Sequence, residues 1–186
     1  AGCSSLSDID VSEKSTTFTC LDGILYNADR TVIYEMLPGR DKSFYIMNDR
    51  VVDIKQYAFW GCDSLEHVII SDKMESIAPY AFSNASNLKS VSMSFAMKEI
   101  DLKAFEDCIS LEQIYIPNSI EYIHPNAFDG CGKVSFYTSE ASYGYDFAQE
   151  NGINTMSSPK YSLSYAEEVK DEYYDAIEEA EEAEKQ

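Results

Sequence analysis

Five cysteines, two histidines and 33 carboxylic acids carry most of the chemistry open to this chain. Cys62, Cys108 and Cys131 share one slot of a repeating frame, and Cys3 fits the same slot at the start of the chain. Such a set suggests a metal centre or a disulfide framework. A tetrahedral zinc site needs ligands that converge on one point. Residues separated by whole repeats stand in a line and cannot enclose an ion. Neighbouring Cys108 and Cys131 could approach to roughly 5 Å between Cα atoms, within bridging range. Parallel Cβ vectors would make that bridge poor. The expectation is free, buried thiols acting as small apolar residues. Ala85 occupies the same slot in the intervening repeat and matches their size. No metal and no cofactor is expected.

The other reactive residues do not converge either. His67 and His124 lie in different phases of the frame, so no shared site is expected. A nucleophile, a base and its orienting partner cannot be assembled from repeat geometry alone. There is no glycine-rich phosphate loop and no metal-ligand spacing. The pairs Asp8 and Asp10, and Asp22 near Asp29, have the composition of a weak calcium site, though solvated carboxylates are the commoner outcome. The chain reads as non-catalytic.

The frame that places these residues has a period of 23. Ala58-Phe59 recurs as Ala81-Phe82, Ala104-Phe105 and Ala127-Phe128. A fixed period of this length marks a solenoid. Each unit runs I-x-x-x-A-F-x-x-C-x-x-L-x-x-V-x-I, seen from Ile54 to Ile70. Val68-x-Ile70 alternates with period two and predicts a short strand with both apolar residues on one face. One strand per unit predicts a parallel sheet with about 4.8 Å between strands. The Ala-Phe half predicts a helical or turn segment that lays phenylalanine across the core from the opposite wall. Phe59, Phe82, Phe105 and Phe128, with Cys62, Cys108 and Cys131, are the expected structural core. In the last unit, Val134 and Phe136 are taken as the strand pair.

Residues 12–44 break the period. Ile24-Leu25-Tyr26 and Thr31-Val32-Ile33-Tyr34 flank Asn27-Ala28-Asp29-Arg30 and predict a hairpin that replaces one Ala-Phe half. Gly2-Cys3-Ser4-Ser5-Leu6-x-x-Ile9-x-Val11 superimposes on Gly61-Cys62-Asp63-Ser64-Leu65-x-x-Val68-x-Ile70. The chain therefore reads as opening inside a repeat of a longer protein, and Ala1-Gly2-Cys3 as repeat rather than lipidation signal. Residues 138–156 predict a cap, with helical spacing at Tyr143, Phe147 and Ala148, a stop at Asn151-Gly152, and Ile153 tucked behind. The solenoid thus spans 1–156. Residues 157–163 read as a linker. Residues 164–186 read as an acidic amphipathic helix and tail, opened by the capping box Ser164-x-x-Glu167.

The charge narrows the partners. The net charge is −19. Residues 163–186 hold ten acidic residues against Lys170 and Lys185, which is −8 of that total. Nucleic acid and anionic lipid surfaces are poor partners for such a chain. No run of about 18 apolar residues offers a membrane span.

With the frame in view, I-x-x-x-A-F-x-x-C-x-x-L-x-x-V-x-I resembles the BspA-like (Treponema pallidum-type) leucine-rich repeats. D-G-I-L-Y-N at Asp22–Asn27 resembles an insert common in those proteins, and S-Y-G-Y-D-F-A-Q-E-N-G-I at Ser142–Ile153 resembles their usual ending. The resemblance covers residues 1 to about 155. It departs where Ala85 replaces cysteine and where proline after the strand occurs only as Pro117. It implies an α/β solenoid, a right-handed leucine-rich-repeat superhelix with a parallel sheet on one face. It also implies a bacterial surface or secreted protein, extracellular, in a family whose members include adhesins. The strand residues outside the core form the expected binding face: Phe44, Ile46, His67, Ile69, Gln113 and Tyr115. The central column is Asp10, Ile46, Ile69, Ser92, Tyr115 and Ser135, flanked by Phe44, His67, Ser90, Gln113 and Lys133 on one side and by Asn48, Ser71, Ser94, Pro117 and Tyr137 on the other. A host or microbial surface protein, or a glycan, is the expected partner. Self-association through the N-terminal edge or the C-terminal helix is a further route. The competing reading is a structural spacer that presents other domains.

Overall fold

The structure, a computed structural model, describes residues 5–156. The strands in chain order are β1 (Phe18–Leu21), β2 (Ile24–Asn27), β3 (Val32–Met36), β4 (Phe44–Ile46), β5 (Asp53–Ile54), β6 (His67–Ile69), β7 (Ser76–Ile77), β8 (Ser90–Ser92), β9 (Glu99–Ile100), β10 (Gln113–Tyr115), β11 (Tyr122–Ile123), β12 (Ser135–Tyr137) and β13 (Asn154–Met156). One helix, α1 (Tyr143–Glu150), lies between β12 and β13. The major sheet has six strands in the order β13-β12-β10-β8-β6-β4, all parallel. A minor sheet, β7-β9-β11, runs along a second wall, and β5 leads into it from a four-stranded sheet, β1-β2-β3-β5. The result is a parallel-strand solenoid with one turn of chain per repeat.

The third wall is made of turns rather than helix. Each rung bonds the next through its main chain: Phe59 donates to the Ala81 carbonyl (2.7 Å), Phe82 to Ala104 (2.8 Å) and Phe105 to Ala127 (2.9 Å). Ala58, Ala81, Ala104 and Ala127 have no accessible surface, which explains why the side chain beside each phenylalanine is small. Two slots of this wall are left-handed. One holds Gly61, Asn84, Asp107 and Gly130 (φ 63°, 60°, 55°, 81°), the residue types that tolerate that region best. The other holds Tyr57, Tyr80 and Lys103 (φ 67°, 57°, 54°). Here the conformation costs an ordinary side chain about 1–2 kcal/mol. The inter-rung bonds hold it in place.

The phenylalanines form one column. Ring centroids are 4.7 Å apart for Phe59–Phe82, 5.2 Å for Phe82–Phe105 and 5.2 Å for Phe105–Phe128, with interplanar angles of 10°, 4° and 5°. Phe136 meets Phe128 edge-on at 5.0 Å, and Phe147 of α1 stacks on Phe136 at 6.2 Å. The cap thus continues the column. Ser142 caps α1 by accepting from the Tyr145 amide. Gly152 is left-handed, and the Ile153 amide bonds the Ala148 carbonyl. Phe147 and Ala148 are buried, whereas Tyr143 is 39% exposed and uses its hydroxyl to accept from the Ile123 amide. After the cap the chain adds β13 beside β12, a strand that the apolar pattern does not announce.

The insertion is a three-stranded meander. Asp22 and Gly23 (φ 51° and 70°) make the tight primed turn that suits a two-residue hairpin. β2 and β3 form the second hairpin around Asn27 to Thr31, where the Asn27 side chain accepts from the Thr31 and Val32 amides. β3 then joins β5 in parallel and rebuilds the missing rung. Met36 donates to the Ala58 carbonyl, as each column phenylalanine donates to the next alanine. The stretch 5–11 does not form the strand that its frame suggests. Leu6 is 40% exposed, and Gly39 and Gly23 pack against Ser5 to Ser7. Its neighbour is the turn of the meander, not a regular rung, so its leucine slot lacks the usual core to enter. Cys3, the linker and the acidic helix lie outside the described residues.

Phe82 and Phe105 are fully buried between like rings. Replacing either by alanine should lower stability by about 3–5 kcal/mol in chemical denaturation. Phe128, at the capped end, should cost less.

Candidate functional site

The strand residues opposite the core form two rows on the major sheet. The pairing Phe44–His67–Ser90–Gln113–Ser135 makes one row. The pairing of Ile46 with Ile69 and Ser92, and of Tyr115 with Tyr137, makes the other. Val68, Val91 and Ile114 between them are buried, so alternation turns the two rows outward. Phe44, His67, Ile69, Gln113 and Tyr115 are all part-exposed there.

Three sequence expectations for this face are corrected. Ile46 is 3% exposed and is not part of an accessible surface. It lies on the sheet's N-terminal edge strand, beside Ile69, where residues 5–7 run against the turn that enters β4. Ser135 pairs with Gln113, not Tyr115, and Tyr137 takes the place expected for Ser135. The cause is a one-residue contraction. Leu111 precedes the core residue Ile114 by three positions, but Val134 precedes Phe136 by two. Val134 therefore fills a leucine slot, and Lys133 precedes the strand. The row of Ser71, Ser94 and Pro117 is buried, with both serines 1% exposed. Their carbonyls close the turn after each strand by accepting from Met74, Met97 and Ile120.

Local chemistry on the face is mild. His67 Nδ1 shares a 2.8 Å hydrogen bond with Ser90 Oγ, and its ring lies 6.0 Å from Phe44. Burial pulls the His67 pKa below its ordinary value, partly offset by Glu66. Lys89 neutralises Glu66 through a 2.6 Å ion pair. Burial also raises the Tyr115 pKa. Phe95, which the frame places in a turn and not on a strand, is 58% exposed and packs edge-on against Tyr115 at 5.8 Å. Its equivalents one rung either side are Asp72 and Asn118. A large apolar residue in a polar slot was the available signal.

The cysteine column is structural. Cys62, Cys108 and Cys131 are buried and free. Each thiol donates to a carbonyl of the preceding rung: Met36 (3.6 Å), Phe82 (3.1 Å) and Phe105 (2.9 Å). Burial pushes the Cys62 pKa up to about 12. The contact with Cys131, and then burial, raises that of Cys108 further. A thiolate is the reactive form, so Cys62 and Cys108 are held inert, while Cys131 is shielded by burial. At the other candidate positions, Asp22 binds Arg40 and Lys42, each at 2.8 Å. Burial raises its pKa, but these two cations outweigh that and hold it below the ordinary value. Its carboxylate is thereby engaged by cations of the chain itself. Asp8 accepts from the Ile9 amide and the Cys20 thiol.

A sequence description of the BspA type leucine rich repeat region matches residues 42–142 in six copies. The chain belongs to this family. No curated protein matches the chain in sequence. Solved leucine-rich repeat structures share the fold. A leucine rich cell surface protein from Faecalibacterium prausnitzii aligns with TM-score 0.60 at 23% identity, covering 78% of this chain and 44% of that one. A leucine-rich repeat protein from Bacteroides ovatus aligns at 31% identity and TM-score 0.52, over 57% of this chain and 28% of that one. The leucine-rich repeat protein of T. pallidum aligns at 19% identity and TM-score 0.51, over 82% and 84%. The chain thus spans less than half the length of the F. prausnitzii protein. Among the described residues, no helix is long and apolar enough to cross a membrane.

Two outcomes follow. In the native protein, Cys62, Cys108 and Cys131 should resist iodoacetamide while Cys20 reacts, with all becoming labelled in denaturant; peptide mapping by mass spectrometry checks this. For His67, the unfolded chain binds a proton more readily than the folded one. Its stabilising contribution is complete above the ordinary pKa of about 6.5 and is lost as pH falls through it. Thermal melts from neutral to mildly acidic pH should therefore fall less steeply for His67→Gln than for the wild type.

Proposed function

We propose that the chain is a non-catalytic interaction module of a bacterial surface protein and that it binds a partner protein through the outer face of the major sheet. The observation that carries this reading is the exposed Phe95–Tyr115 pair, on the same face as Ile69 two strands away. Exposed apolar groups gathered on one face and rimmed by polar residues mark interfaces. The rim here is Ser90, Ser92, Gln113 and the His67–Ser90 pair. The accessible set is Phe44, His67, Ile69, Phe95, Gln113 and Tyr115. Surface location is favoured by family membership, and the F. prausnitzii relative is itself described as a cell surface protein.

Ile69→Asp and Tyr115→Ala should leave the fold intact, because both side chains project away from the core. Each should weaken capture of host extracellular-matrix or microbial surface proteins by about tenfold or more in a surface-binding assay. Unchanged capture by both variants would exclude this face. Absence of any partner for the wild-type chain would favour the spacer role, in which the repeats present other domains.

A further inference from the structure

A second surface lies on the turn wall, away from the sheet face. Tyr57 and Tyr80, one rung apart in the same left-handed slot, stack at 5.2 Å. Tyr34 lies on β3 one rung before, where the β3–β5 register sets it beside Lys55, two residues short of Tyr57. Phe18 packs edge-on against Tyr34 at 5.1 Å. Trp60, the single tryptophan, follows Tyr57 by one turn. Phe18, Tyr34, Tyr57 and Trp60 are 37–53% exposed. Successive rungs thus present aromatic rings to solvent, and Tyr57 and Tyr80 hold a backbone conformation that bulky side chains seldom adopt.

The next member of the slot shows what the rings accept. Lys103 extends its ammonium over the Tyr80 ring, 6.0 Å from the centroid, while Glu106 binds it from the side. Tyr34 in turn interacts with Lys55, which pairs with Asp53. Glu35 adjoins Tyr34, and the described residues carry a net charge of −12, from 11 basic and 23 acidic side chains. Aromatic faces attract cations, most strongly Trp and Tyr with Arg. A strongly acidic molecule draws such cations in over distance.

We infer that this aromatic strip is a docking surface for an arginine- and lysine-rich segment of a partner protein, held by cation–π contacts at Tyr34, Tyr57 and Trp60. It is independent of the sheet face, and Tyr115→Ala serves as its control. The test is fluorescence anisotropy with the full chain and a labelled Arg/Ser peptide at low ionic strength, beside the same peptide with citrulline in place of arginine. The wild type should bind the arginine peptide and not the citrulline one. Tyr57→Asn combined with Trp60→Ser leaves the charge unchanged and should bind about tenfold more weakly. Trp60→Phe should retain most of the affinity, and Tyr115→Ala all of it. Should the double variant fail to fold by circular dichroism, Trp60→Ser against Trp60→Phe decides. Undiminished binding by the ring-deleted variants would assign the attraction to diffuse charge and overturn the inference. So would equal binding of the citrulline peptide, displacement by a neutral hexasaccharide, or no binding at all.

Discussion

A buried backbone amide inside this array must bond either its own turn or the neighbouring rung. That constraint, more than any side chain, organises the molecule. Strand residues meet it through parallel ladders, and the turn wall meets it through bonds such as Phe82 to Ala104 and Asn84 to Glu106. Buried peptide groups without partners are rarely tolerated, so each rung must repeat the course of the last. The left-handed slots follow from this. A turn must present amides to one neighbour and carbonyls to the other, and two positions per rung reverse their handedness to do so. The cysteine column belongs to the same accounting, since each thiol supplies a donor to a carbonyl of the rung before.

The side-chain column rests on this frame. Once the rungs lie a fixed distance apart, a phenylalanine in one slot stacks on its equivalents at 4.7–5.2 Å. The ends of the column are where the repeat is altered. Met36 of the meander takes the phenylalanine position at one end, and Phe136 with Phe147 turn the stack into the cap at the other. Arg40, 4% exposed, ties the meander to the array through Asp22 and lies 5.5 Å from the Tyr45 ring.

Most of this frame was legible in the sequence because period and residue size are directly printed there. The Ala-Phe pairs, the thiol column with its Ala85 replacement, the hairpin around Asn27 and the helical cap all follow from spacing. What escaped depends on geometry that spacing does not carry. Ile46 has the sequence position of an outward residue, yet on the edge strand it is buried, which spacing alone does not carry. The contraction before Phe136 shifts a whole row, yet it alters the apolar pattern by one residue. β13 reads Asn-Thr-Met and lacks any alternation. The left-handed turn at Gly61, Asn84, Asp107 and Gly130 was visible in residue type, whereas the parallel one at Tyr57, Tyr80 and Lys103 was not. The outward-facing strand residues were therefore placed in outline, with Phe95 missing and Ile46 surplus.

The inter-rung bonds bear on how such a module responds to force. All three walls are bonded along the solenoid axis, so tension applied end to end loads the rungs in series. The array then yields by peeling from its ends, one rung at a time, at a force set by a single interface. Rungs bonded in series in this way would come apart one at a time under load. The capped end, where Phe147 closes the column, peels last.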